Sequence, residues 1–283
     1  MESSRVRVAR LRVAYAGHDF FASCLKALLE RADIDIVLCL TSPPGDRIGN
    51  VLELAYQSHI PVLFGRPGKE IISIFNRSRV DLLISAAYSY RIPVDRFSVS
   101  RTINVHPTLL PYGRGPAPLS YLIDAHRDLC GISLHEMTYE FDQGPILLQE
   151  AIPLASSDGY DELVLKLYAA APRLLNKCLD NLDEYFSKKI DQGLGSYWEV
   201  LGNEQRVLVA AEARAVDALY FKRKFGSTGI IVQLADGTSV KTGHLVASEC
   251  EHSYSVGSVV ARMRAGWIIA LTDGLMRISE PLH

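Results

Sequence analysis

The chain has 283 residues, 48% hydrophobic and 22% charged, an ordinary globular composition that excludes a disordered, collagen-like or disulfide-stapled chain. Thirty Lys and Arg against 32 Asp and Glu give a formal charge of -2, so no global attraction draws it to a phosphate backbone or an anionic membrane. The length suits two domains, or one of about 180–200 residues with a small appendage. Cys24, Cys39, Cys130, Cys178 and Cys250 are widely spaced and form no C-x-x-C pair. That argues against a disulfide framework or a zinc module, and for small apolar core residues in a reducing cytoplasm. No apolar run approaches the ~20 residues of a membrane span. The start lacks the apolar region and cleavage site of a secretory signal, and the arginines at 5, 7, 10 and 12 read as a short charged lead-in rather than a transit peptide.

Leu11 to Gly17 is predicted to be a strand ending on glycine, and Phe20, Phe21, Cys24, Leu25, Leu28 and Leu29 follow at helical spacing. Ile34 to Leu40 reads as a strand buried on both faces, and Ser42-Pro43-Pro44-Gly45-Asp46 as a loop. A helix at 51–55, a strand at 60–64, a helix at 71–75 and a strand at 80–86 continue the alternation. Such a pattern predicts a parallel sheet covered on both faces. The first turn, Gly17-His18-Asp19-Phe20, lacks the G-x-G-x-x-G dinucleotide fingerprint, and no G-x-x-x-x-G-K-[ST] occurs, so NAD and ATP are disfavoured. Beyond about Asp191 the texture changes. Residues 230–234 and 238–241 around Asp236-Gly237, then 256–263, 267–271 and 275–278 around Asp273-Gly274, predict a small antiparallel barrel or sheet.

Two stretches carry the candidate chemistry. In Thr102-Ile103-Asn104-Val105-His106-Pro107, strand alternation puts Asn104 and His106 on one face, and Pro107 ends the strand, where ligand sites of open α/β sheets lie. The following loop, through Tyr112-Gly113-Arg114-Gly115-Pro116, alternates stiff and permissive positions. The second stretch runs as a strand from Gly131 and breaks at Asp142-Gln143-Gly144-Pro145. Alone, that aspartate is a turn former and the Asn-x-His a structural pair. A metal site from His106, His135, Glu136 and Asp142 is disfavoured because adjacent strand residues point to opposite faces, and His135 reads as a packed strand histidine. A serine hydrolase lacks its G-x-S-x-G elbow.

The order N-x-H-P-T-L-L-P, then R-G-x-x-P, then D-x-G-P-I about 38 residues after the asparagine, resembles the formyltransferases that use 10-formyltetrahydrofolate. The likeness runs from the opening strand through Tyr88-Ser89-Tyr90-Arg91-Ile92-Pro93 to about Leu182, and more weakly through the C-terminal segment. It implies a Rossmann-like, mostly parallel catalytic domain (1–190), a linker (191–205) and a small β-rich, barrel-like domain (206–283). It implies 10-formyltetrahydrofolate as donor, without metal or NAD. It further implies Asn104, His106 and Asp142 as the catalytic residues. Asn104 and a cationic His106 would stabilise the oxyanion of a tetrahedral intermediate, and Asp142 would act as base, directly or through water. Tyr88, Ile92, Glu140 and Phe141 are the implied folate contacts; Arg114 serves substrate contact or loop shaping.

The acceptor is less determined. Residues 206–283 contain nine Lys/Arg and seven Asp/Glu, so they lack the basic face that a tRNA-binding domain should carry. A small amine, such as an amino-sugar nucleotide or a modified amino acid, is therefore expected, with methionyl-tRNA as the alternative. A formyltetrahydrofolate hydrolase and a non-catalytic folate-binding module are weaker alternatives. No membrane partner is expected, and homodimerisation is left open.

Overall fold

In the computed structural model, which describes residues 10–44 and 49–279, strand β1 (Leu11–Gly17) is buried from Val13 onward. A run this apolar has no face to give to water and takes the middle of a sheet. Arg5, Arg7, Gly45 and Asp46, named above in the lead-in and first loop, lie outside the described residues. Strands β2 (Ile34–Thr41), β3 (Val62–Phe64), β4 (Leu82–Ala86), β5 (Arg101–His106), β6 (Gly131–His135) and β7 (Ile146–Ala151) join β1 in the order β3-β2-β1-β4-β5-β6-β7. The first five are parallel, β6 runs antiparallel to β5, and β7 runs antiparallel to β6. Helices α1 (Ala22–Leu29), α2 (Asn50–Gln57) and α3 (Lys69–Arg77) occupy the crossovers. Ile72 and Phe75 of α3 pack with Phe97 on Ala14, Leu38, Leu40 and Leu83, with Phe75 and Phe97 stacked at 4.0 Å.

The remaining helices are α4 (Leu119–Asp124), α5 (Tyr160–Asp180), α6 (Leu182–Ser187) and α7 (Ala215–Phe225). Two compact units result. One comprises Met1–Arg114, Leu129–Ile152 and Lys166–Tyr197 and holds the seven-stranded sheet. The other comprises Gly115–Asp128, Pro153–Leu165 and Trp198–His283. It carries β8 (Val207–Val209), β9 (Ile230–Gln233) and β10 (Ser239–Thr242) as one small sheet. Strands β11 (Leu245–Glu249), β12 (Val259–Met263), β13 (Gly266–Ala270) and β14 (Gly274–Ile278) form a second, antiparallel one. Leu208, Ala218, Phe225, Val232, Ile269, Met276 and Ile278 form the core of that unit.

The antiparallel switch at β5 and β6 positions the site. Asn104 lies opposite His135 and His106 opposite Ser133, and directly opposed residues share a sheet face. The strand read from Gly131 stops at His135. The chain then closes a turn, with Glu136 N–H donating to Pro145 O at 2.9 Å. Gly144 permits it, because a Cβ there would stand 1.8 Å from the Glu136 carbonyl oxygen.

The loop after β5 is fastened by the buried hydroxyl of Ser133. It donates to Thr108 O (2.6 Å) and accepts from Leu110 N–H (3.0 Å) and Gln149 Nε2 (2.7 Å). Removing it leaves buried donors and an acceptor unmatched, each costing ~1–3 kcal/mol. Ser133→Ala should lower unfolding free energy by about 2–3 kcal/mol in urea titrations; a change near zero would show the loop is held by other means.

Candidate active site

Asn104 and His106 leave β5 on one face, as alternation requires, and His135 joins them from β6. His106 and His135 are 4% and 2% exposed. Asp142 reaches them from the turn after β6 with a φ of 55°, a left-handed conformation that aspartate tolerates better than most side chains. Asn104 Nδ2 donates to Asp142 Oδ1 at 3.3 Å and to His135 Nε2 at 3.0 Å. His106 Nδ1 and His135 Nε2 stand 3.6 and 3.5 Å from the same carboxylate oxygen. The three residues expected from the sequence thus meet, and His135 stands among them. The sequence gives His135 no distinguishing signal, since its place follows from strand register.

The carbonyls around the two rings fix their protons. His106 Nε2 lies 2.8 Å from Gly113 O, and His135 Nδ1 lies 2.8 Å from Glu136 O. A carbonyl only accepts, so each of these nitrogens carries hydrogen. Neutral His135 then offers its Nε2 lone pair to Asn104, and neutral His106 turns its Nδ1 lone pair toward Asp142. Burial pushes His106 below its ordinary pKa, opposed by the Asp142 charge and by the Gly113 hydrogen bond, so its resting form near neutrality is uncharged. The imidazolium expected from the sequence is therefore not the resting state. Both Asn104 amide hydrogens are engaged, so a substrate oxygen must displace one of their acceptors.

Arg114 is half-occupied by its own fold: Nε and Nη2 donate to Gln192 Oε1 at 3.1 and 2.9 Å, and Nη2 to Gly193 O. Glu136 pairs with Lys189 at 2.5 Å, outside the histidine cluster. The Tyr88 hydroxyl donates to Gly65 O at 2.5 Å, and Tyr88 and Ile92 pack partly on the sheet core. Glu140 and Phe141 are exposed. Arg91 ties these segments together, donating to Tyr139 O with its guanidinium 4.0 Å from the Tyr139 ring and 5.2 Å from that of Phe141.

The formyl transferase family model matches residues 65–179. The chain thus carries a formyl transferase domain and is similar to the 10-formyltetrahydrofolate-dependent formyltransferases. Methionyl-tRNA formyltransferase of Herminiimonas arsenicoxydans is 28% identical over 295 residues, covering 95% of this chain and 92% of that protein. HypX from Aquifex aeolicus, solved in complex with tetrahydrofolic acid, superposes with a TM-score of 0.72 at 17% identity, over 95% of this chain and 44% of that one. WlaRD, a sugar 3N-formyl transferase, superposes at 0.63 and 15% identity over 98% and 99% of the two chains. These likenesses support an N-formyltransferase activity. Among the described residues no helix is long and apolar enough to cross a membrane.

The depressed His106 pKa has a consequence for stability. The unfolded imidazole takes up a proton near the ordinary value of 6.5, while the folded one stays neutral to lower pH. Between those points the unfolded state binds more protons, so stability falls as pH is lowered. Urea midpoints from pH 7.5 down to about 5 should fall more steeply for the wild type than for His106→Gln. Parallel slopes would contradict the buried, neutral assignment.

Proposed function

We propose that Asn104, His106 and Asp142 perform the formyl transfer; their convergence on one carboxylate oxygen carries this reading. Asp142 takes a proton from the attacking amine, directly or through water. Its oxygen faces the His106 Nδ1 lone pair at 3.6 Å, so the proton has a short onward path, and the imidazolium that forms is stabilised by the adjacent carboxylate. His106 then holds the proton needed by the leaving nitrogen. Asn104, fixed by His135, supplies an oriented carboxamide beside the reacting carbonyl.

The donor's site is supported by the surfaces at the end of β4. Arg91, Tyr139 and Phe141 form a wall in which the guanidinium lies against two rings, with Tyr139 65% and Phe141 51% exposed. A planar heteroaromatic ligand with a polar rim suits such a wall. Tyr88, Ile92, Glu140 and Phe141 are the residues assigned to hold it, with Arg91 between them. The bound folate supplies the formyl carbon.

Methionyl-tRNA is the acceptor placed first, because the relative from Herminiimonas arsenicoxydans matches along nearly the whole of both chains. A small metabolite amine, such as an amino-sugar nucleotide or a modified amino acid, is the second reading, and one observation favours it. The second unit as folded includes Gly115–Asp128, Pro153–Leu165 and Trp198–His283, which together contain ten Lys/Arg and fourteen Asp/Glu, a formal charge of -4. Several of its cations are also engaged: Lys224 pairs with Asp124 at 2.7 Å, Arg214 with Asp273 at 3.0 Å, and Arg223 donates to Asp158 O.

His106→Ala and Asp142→Asn should each lower formyl transfer by at least about a hundredfold with folding retained. Wild-type turnover in either removes it from the mechanism. Offered 10-formyltetrahydrofolate, the enzyme should formylate methionyl-tRNA with a rate that falls measurably, though shallowly, with salt. Formylation of a nucleotide-linked amino sugar or hydroxylated amino acid alone, insensitive to salt, would establish the second reading instead.

A further inference from the structure

The catalytic reading just given requires two loops to agree: the one that holds His106 through Gly113, and the turn that carries Asp142. The segment 190–197 runs against both. Ile190 and Ile146 exchange backbone hydrogen bonds of 2.8 and 2.9 Å at the Asp142 side. At the other side Gly113 N–H donates to Ser196 Oγ (2.9 Å) and Arg114 N–H to Ser196 O (3.0 Å). Gly195 lies so close to the first loop that a Cβ would stand 2.0 Å from Pro111 O.

Gln192 joins the two contacts with one side chain. Its Nε2 donates to Asp142 O at 2.9 Å and to Gly144 O at 2.7 Å. Its Oε1 accepts from Arg114 Nε and Nη2 at 3.1 and 2.9 Å. A primary amide has two hydrogens and two lone pairs, so every polar capacity of Gln192 is filled, half by each loop. Neither a carboxylate nor a thioether of the same length reproduces this, since the first lacks the hydrogens and the second lacks both sets.

We propose that Gln192 is a positioning residue for formyl transfer, holding the Asp142 turn in register with the loop that fixes His106. The inference rests on the catalytic reading of Asn104, His106 and Asp142. Gln192 touches no reacting atom; it acts through the placement of Asp142, and a displacement of about 1 Å in such a group can cost on the order of a hundredfold in rate. The same geometry makes Arg114 a partner in loop registration.

The test uses the full chain with 10-formyltetrahydrofolate and methionyl-tRNA, or the small amine if the screen selects one. Gln192→Met should lower kcat about 10- to 100-fold, with KM for both substrates within about threefold and the thermal midpoint within a few degrees. Gln192→Glu keeps the acceptor for Arg114 and loses both donors, and should be as slow. Gly195→Ala, which touches neither catalytic side chain, should reproduce the kcat loss by lifting the segment. In an Asp142→Asn background, Gln192→Met should cost less than about threefold, because a residue that acts through Asp142 has nothing left to position. Full kcat in Gln192→Met, or an undiminished factor in the Asp142→Asn background, overturns the proposal. If Asp142→Asn itself turns over at the wild-type rate, the catalytic reading fails and takes this one with it. If Asp142→Asn is crippled while Gln192→Met is not, only Gln192 loses its role.

Discussion

A carboxylate withdrawn from water must be compensated, and the way Asp142 is compensated organises the catalytic unit. Its side chain is 12% exposed and receives an Asn104 hydrogen while two imidazoles stand beside it. Buried ionised groups are tolerated only when hydrogen-bonded or paired. Asn104 provides that compensation through its hydrogen bond, and the neutral His106 beside the carboxylate can accept a proton and return it, which a fixed lysine or arginine cation could not do near neutrality. The antiparallel turn-back at β6 follows from the same need. Only a strand laid beside β5 in opposite direction brings His135 opposite Asn104 and then delivers Asp142 from its own far end.

Much of this was legible in the residue order. Alternation puts Asn104 and His106 on a common face, Pro107 marks the strand end, and the apolar runs from β1 to β4 announce a sheet covered on both sides. What sequence reasoning missed shares one cause. His135, Ser133 and Gln192 owe their roles to partners 31, 23 and 50 positions away. A pairing register or a crossing segment carries no local pattern, so these residues look like an ordinary strand histidine, strand serine and linker glutamine. Edge strand β11 was overlooked for a related reason: its exposed, polar end is stabilised by pairing with β14 rather than by its own alternation.

Proton placement is equally a product of distant backbone. The Gly113 and Glu136 carbonyls select a tautomer for each ring, and those carbonyls are fixed by Ser196 and by the 136–145 turn. The cationic His106 expected at the oxyanion is formed during the reaction rather than at rest, because a charge is judged by the net of burial against neighbours, and at His106 burial is the larger effect. A neutral base beside a carboxylate suits a reaction in which the proton arrives with the nucleophile and departs with the leaving group.

The acceptor question turns on where charge sits after folding. Counted along the chain, residues 206–283 are mildly basic; counted by compact unit, the inclusion of 115–128 and 153–165 makes the second unit acidic, at -4. With -2 for the whole chain, the unit bearing Asn104, His106 and Asp142 is left at +2. Any long-range attraction for a polyanion therefore originates on the catalytic unit, and the second unit opposes it. Binding of a tRNA under those conditions would rest on few phosphate contacts, and its salt dependence would be shallow compared with a domain that neutralises many phosphates. A nucleotide-linked amine needs only one or two cations near the catalytic face, a demand that +2 meets without help. The slope of activity against salt is consequently more informative about this enzyme's acceptor than likeness to any one relative, since likeness reports the shared chemistry and the slope reports the charge that selects the substrate.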